Sequence, residues 1–173
     1  MDAHHDQVLR RRAEQAGHPP RLYFAYSTIL DGDAFAEWKS QHGYEDFELP
    51  VGRPGVAQDL ALVYDFPSRW WGGRVAGLVD RAGSHVYGVV YTIPGVDWPI
   101  IEHKEGQVTS MCVERTVKVG LGGEVVEATA FTTNPARRSL EGPVSYRFIE
   151  AMVRGALAAG LPTAWIEEVA RGE

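Results

Sequence analysis

The chain has 173 residues, of which 45% are hydrophobic and 23% charged, with a formal net charge of −6. This suits one compact domain with a real core, and the acidic balance argues against a nucleic-acid partner, which needs a basic face. A lone cysteine, Cys112, excludes an internal disulfide framework and a multi-cysteine metal site. No run approaches the ~18 apolar residues of a membrane span, and Met1-Asp2-Ala3-His4-His5-Asp6 is polar where a signal peptide would be apolar. The expectation is a cytoplasmic domain with no membrane partner.

Residues 1–20 carry Arg10-Arg11-Arg12 and end in Gly17-His18-Pro19-Pro20. Val8, Leu9 and Ala13 allow a short helix that the prolines stop. The segment reads as a lightly docked tail, with a packing arm against a neighbouring subunit of a homodimer as the alternative. A single domain, residues 21–173, then begins. Leu22-Tyr23-Phe24-Ala25-Tyr26 reads as a buried strand. It breaks at Ser27-Thr28, and Asp31-Gly32-Asp33 offers capping carboxylates for a helix bearing Ala34, Phe35 and Trp38, which Gly43 should end. Residues 48–58, with Pro50, Gly52, Pro54 and Gly55, read as a loop; residues 59–66 as a strand; residues 67–73 as a second loop.

Residues 75–79 are strand-like, Ala82-Gly83-Ser84 reads as a turn, and residues 86–93 form the strongest strand, where Gly88 implies close backbone approach. After Pro94-Gly95, Asp97 can cap a short helix carrying Ile100 and Ile101 and closing at Gly106. Strands are expected over residues 108–119 and 124–133, around a hairpin turn at Gly120-Leu121-Gly122-Gly123. From Tyr146 the spacing of Ile149, Val153, Ala156 and Leu157 is helical. After Gly160-Leu161-Pro162, Thr163 can cap a last helix with Trp165, Ile166 and Val169. The class is α+β: a small mixed β-barrel with flanking helices.

Chemistry-bearing residues are sparse. The six histidines show no metal-ligand spacing, so no metal is expected. Cys112 reads as a buried inert thiol rather than a nucleophile. The glycine pairs at 72–73 and 122–123 match no phosphate-binding fingerprint. Trp70-Trp71 reads as packing, with the mouth of a pocket as the alternative. Glu105 stands out because a carboxylate in the last turn of a helix faces the negative end of its dipole. That effect and partial burial would both raise its pKa and make it a better base near neutrality.

Leu22-Tyr23-Phe24-Ala25-Tyr26-Ser27-Thr28-Ile29-Leu30 is similar to the opening YFAYGSNL of the gamma-glutamylcyclotransferase-like (AIG2-like) family. The stretch from Gly73 and Ala76 through Gly83 to Val86-Tyr87-Gly88-Val89-Val90-Tyr91 resembles its GG…A…PG…VWGVVW pattern. Lys104-Glu105-Gly106 followed by Ser110-Met111 resembles its EG and GMY segments, and Gly155-Ala156 with Gly160-Leu161-Pro162 its GA…GLP helix. The resemblance covers nearly all of residues 22–169.

It implies an enzyme that cyclises a small-molecule gamma-glutamyl amide into 5-oxoproline, with Glu105 as general acid/base and no cofactor. Tyr26, Ser27, Thr28, Ile29 and Leu30 would hold the glutamyl end through backbone N–H groups. The chain departs from the family at Ser27 and Ile29, where glycine and asparagine are usual, and at Cys112, Ala130 and Phe148, where tyrosines are usual. These departures keep a second reading open, a non-catalytic binding module on the same fold.

Overall fold

The computed structural model describes residues 4–173, so Met1, Asp2 and Ala3 of the predicted tail lie outside the described residues. Helix α1 (His5–Gln15) comes first, followed by β1 (Arg21–Ala25), a 3-10 turn (Thr28–Leu30) and α2 (Gly32–His42). Strands β2 (Arg53–Ser68) and β3 (Gly73–Ile93) form a long hairpin, and α3 (Trp98–Lys104) leads to β4 (Cys112–Gly120) and β5 (Val125–Thr133). Helices α4 (Tyr146–Ala158) and α5 (Thr163–Arg171) end the chain.

The five strands close into a mixed barrel in the order β1-β3-β2-β4-β5. Neighbours pair antiparallel except β1 with β5, whose parallel contact at Tyr23 and Thr129 completes the ring. Closure removes the unpaired edges that an open sheet would expose. Side chains alternate across the barrel wall. Phe24 and Tyr26 join one core with Leu78, Val119, Met152 and Trp165. Tyr23 and Ala25 join a second with Val8, Phe35, Trp98 and Ile101. The two cores thus sit on opposite faces of β1, one under α4 and α5, the other under α1, α2 and α3.

Several expectations are corrected here. The tail is not lightly docked: α1 buries Val8 completely, and Arg11 and Arg12 pair with Glu102 and Asp97. Residues 53–58 are strand, because Pro54 at the start of β2 needs no ladder N–H and Gly55 packs tightly on Val119 and Leu121. Residues 82–84 are not a turn but a bulge inside β3, bridged by the Gly83 N–H donating to Asp59 Oδ1 at 2.9 Å. Strand β4 starts at Cys112 rather than 108, after turns in which Ser110 takes φ 56°.

Asp31 and Asp97 occupy cap positions but make no capping bond; Arg154 and Arg12 take their carboxylates. Likewise, α5 starts at Thr163, with Pro162 as its cap residue and no side-chain bond. On α4 the buried stripe runs through Phe148, Ile149, Met152 and Gly155, which leaves Leu157 61% exposed. The close approach expected at Gly88 is present: a Cβ there would lie 2.4 Å from the Ala25 carbonyl oxygen. Among the described residues, no helix is long and apolar enough to cross a membrane.

Candidate active site

Helix α3 is only seven residues long and ends where Gly106 adopts φ 81°, which a side chain would disfavour. Glu105 is its C-cap residue, so the fold fixes this carboxylate at the corner between α3 and β4. The loop after β1 lies opposite. Its 3-10 turn bonds Leu30 N–H to Ser27 and Asp31 N–H to Thr28, at 3.2 and 3.1 Å. The amides of Thr28 and Ile29 start that turn and are not consumed by it.

Between these elements lies an inner cavity of about 110 Å³, walled by Tyr26, Ser27, Glu105, Cys112, Phe131 and Phe148 among others. An outer cavity of about 330 Å³ adjoins it, with Trp38, His42, Trp70 and His103 in its wall. Thr28, Ser68, Trp71, Lys104, Gly106 and Met111 border both, so the two are compartments of one cleft.

Glu105 is half-buried and reaches the inner cavity. Burial raises its pKa above the ordinary carboxylate value; the Lys104 cation and a hydrogen bond from Tyr23 oppose the rise. Tyr23 donates a hydrogen bond from its hydroxyl to Glu105 Oε1. Burial lowers the pKa of Lys104, partly offset by Glu105. Both members of the sequence pair are thus pushed toward their uncharged forms. A carboxylate shifted in this direction suits proton transfer near neutrality.

Tyr26 spends its hydroxyl on the Phe131 carbonyl oxygen at 2.5 Å, and burial holds its phenol well above the usual range. The Cys112 thiol is pushed up to about 12 by burial and by Glu105. It is therefore uncharged at neutral pH, in keeping with an inert thiol.

Of the loop residues, Tyr26, Ser27 and Thr28 reach the inner cavity with Glu105. Ile29 and Leu30 do not wall it: Ile29 is buried in the core shared with Tyr23 and Trp98, and Leu30 packs against Gly155 of α4. Sequence reasoning assigned no role to Tyr23 or Lys104. The period-two alternation of β1 points Tyr23 away from Tyr26, and only the distant α3 corner gives its hydroxyl a partner. The tryptophan pair follows the pocket-mouth alternative, since Trp70 and Trp71 both wall the outer cavity.

The histidines are less scattered than the sequence implied. His4, His42 and His103 wall the outer cavity, with ring centroids 5.9 Å apart for His4–His103 and 5.0 Å for His42–His103. Among the described residues, no group of three or more His, Cys, Asp or Glu is arranged to hold a metal ion.

Residues 85–169 match the model of the AIG2-like family. The fold matches a solved gamma-glutamyl cyclotransferase at TM-score 0.71 and 22% identity, over 87% of this chain and 86% of that one. Over residues 85–169 the chain is similar to the AIG2-like family. A human protein described as uncharacterized matches its fold at TM-score 0.74 and 22% identity, over 88% of this chain and 87% of that one. A yeast gamma-glutamyl cyclotransferase specific to glutathione matches at TM-score 0.59 and 11% identity, over 90% and 96%. No curated protein matches the sequence.

The chain absorbs its departures from the family pattern in different ways. Ser27 sits at φ −119°, so its backbone does not require glycine. Ser110, where the family motif has glycine, does hold a positive φ of 56°, and its carbonyl oxygen accepts from Asn134 Nδ2 at 2.9 Å. Phe148 fills the place of a tyrosine with an edge-on contact to Trp71, centroids 5.3 Å apart. Ala130 is fully buried in the core. The inner cavity consequently has an apolar side (Phe131, Phe148) facing the Glu105 and Lys104 side.

Proposed function

We propose that this protein is a gamma-glutamylcyclotransferase, converting a gamma-glutamyl amide into 5-oxoproline and a free amine with Glu105 as general acid/base. The observation that carries the reading is the half-buried Glu105 carboxylate, its pKa raised by burial, on the wall of a small cavity beside Ser27 and Thr28. As an anion, Glu105 takes a proton from the substrate's α-ammonium. The freed amine attacks its own γ-carbonyl carbon, closing a five-membered ring and leaving negative charge on the carbonyl oxygen. Glu105 then passes that proton to the departing nitrogen, the original amide C–N bond breaks, and the carbonyl re-forms. The ring nitrogen gives up its second proton through Glu105 to the released amine, which leaves as an ammonium.

Because nucleophile and electrophile belong to one molecule, holding the folded-back conformer supplies much of the rate. Peptide N–H groups of Thr28 and Ile29, which the 3-10 turn does not use, receive the glutamyl end, a role that side-chain changes at Ser27 and Ile29 leave intact. Lys104, beside the same cavity, supplies the compensating positive charge.

Incubation with a panel of gamma-glutamyl amines and peptides, followed by detection of 5-oxoproline, tests the reading. Turnover is expected, falling about 10²–10⁴-fold in Glu105→Gln. Turnover that survives this substitution overturns the assignment of the base. The second reading, a non-catalytic binding module, rests on the replacement of the loop's glycine and asparagine by Ser27 and Ile29. It would be favoured by ligand binding that Glu105→Gln leaves unchanged, without turnover of any substrate.

A further inference from the structure

The outer cavity has a composition of its own. At about 330 Å³ it falls within the range of small-molecule sites, roughly 300–1,000 Å³, whereas the inner cavity at about 110 Å³ has room only for a small group. Aromatic rings dominate its wall. Trp38 stacks on His42 with centroids 4.6 Å apart, and His103 meets Trp38 edge-on at 5.4 Å. Trp70, 48% exposed, stands with Trp71 in the same wall.

Its charge is equally distinctive, because among the described residues the wall includes the Lys104 ammonium and no aspartate or glutamate. Glu105 lines the adjoining inner cavity, and Asp33, Glu37 and Glu150 belong to a separate cavity that shares Ala34, Trp70 and Trp71, where Arg147 and Arg154 accompany the carboxylates. A cationic group in the outer cavity would meet the Lys104 ammonium, whose neighbouring carboxylate, Glu105, faces the inner cavity instead. An uncharged aromatic group would meet flat faces and edges suited to stacking.

We infer that the outer cavity is a subsite for the amine half of the substrate, selecting an uncharged aromatic group over small aliphatic or cationic ones. This rests on the proposed cyclotransferase reading, in which the glutamyl half occupies the inner cavity. The amide nitrogen would then lie at the shared boundary of Lys104, Gly106 and Met111, directing whatever it carries outward. The released product is an arylalkylamine, which gains its charge only after the C–N bond has broken, as it leaves the cleft.

Three substrates that differ only in this group test the inference: gamma-glutamyl benzylamide, ethylamide and aminobutylamide. The benzylamide is expected to show a kcat/KM about tenfold above the other two, the upper range of what an aromatic contact contributes beyond area. Trp70→Ala should remove most of that advantage, lowering kcat/KM for the benzylamide several-fold more than for the ethylamide. A second readout needs no turnover: titration with N-benzylacetamide, which has no glutamyl half, should give saturable changes in tryptophan fluorescence that weaken in Trp70→Ala. Equal 5-oxoproline from all three substrates, or preference for the aminobutylamide, overturns the subsite and leaves the cyclotransferase reading standing. Saturable N-benzylacetamide binding with no 5-oxoproline from any substrate upholds an aromatic site and overturns the cyclotransferase reading. No saturable binding of N-benzylacetamide overturns the subsite.

Discussion

Tyr23 donates a hydrogen bond from its hydroxyl to the Glu105 carboxylate, joining the middle of the first strand to the corner behind α3. A donor to the charged form favours that form, and here it counters part of the rise that burial imposes on Glu105. Tyr23→Phe removes the donor and keeps the ring's packing on Trp98 and Phe131. The pKa of Glu105 should therefore rise further. Under the proposed reading the base works as its anion, so activity is lost as pH falls through that pKa. The acidic limb of the pH–rate profile should move to higher pH in Tyr23→Phe, with activity at pH 7 falling about tenfold and recovering in mild alkali. A limb that stays in place would break the link between the two residues.

The same burial makes a stability claim with a definite sign. The Glu105 pKa is raised in the fold above its ordinary value of 4.5, so the folded state holds that proton more tightly than the unfolded chain. Between the two values the folded state binds more protons, and stability declines as pH rises through the window. Glu105→Gln keeps an acceptor for Tyr23 and removes the ionisation. Its Tm should exceed that of wild type at pH 7.5, and the difference should shrink toward zero below pH 4.5. Thermal melts of both proteins across this range check it; a constant offset at all pH values would mean that the carboxylate is not paying for its burial.

What could be read from the sequence follows the reach of its signals. Gly43 ends α2 at φ 77°, and the 120–123 turn joins β4 and β5, because stops and hairpins are written in adjacent residues. The helical face of α4 was legible only approximately. Spacing alone could not place Leu157 outside, since what the helix packs on at Gly155 is Leu30 and Asp31 from a distant loop. Strands β2 and β3 were read as fragments because Pro54, Gly55 and Gly83 are punctuation in sequence but bulges and close contacts in the barrel. Glu105 was visible through its local context. Its partner Tyr23 lies 82 positions away, and nothing in a five-residue apolar strand says which ring will find a carboxylate.

Gly155 tests how α4 supports the candidate site. A Cβ there would sit 2.8 Å from the Asp31 amide nitrogen and from the Leu30 carbonyl carbon, both backbone atoms of the loop that follows the 27–28 break. Alanine gains about 0.8–1.0 kcal/mol of helix propensity over glycine. The clash costs about 1–3 kcal/mol, and backbone cannot swing aside as a side-chain tip can. The clash should win, so Gly155→Ala is expected to lose about 1–2 kcal/mol in urea unfolding and to raise KM under the proposed reading. Leu157→Ala, two positions on and on the exposed side of the helix, should change stability by no more than about 0.5 kcal/mol and leave KM unchanged.

Arg11 tests whether α1 is part of the domain. Glu102 is 3% exposed, and Arg11 approaches both its carboxylate oxygens: Nη2 lies 3.0 Å from Oε1 and Nη1 lies 2.5 Å from Oε2. Surface ion pairs contribute about 0–1 kcal/mol, but removing one partner of a buried charge leaves the other desolvated and uncompensated. Arg11 is itself one-third exposed, which places the expected cost of Arg11→Ala at about 1–3 kcal/mol. Adding Glu102→Gln replaces the stranded charge with a neutral amide and should restore more than half of the loss. The two effects are then far from additive, as expected for residues in direct contact. Urea unfolding of the two single variants and the double variant measures this coupling. Additive losses would mean that Arg11 contributes packing along α1 rather than the charge that Glu102 requires.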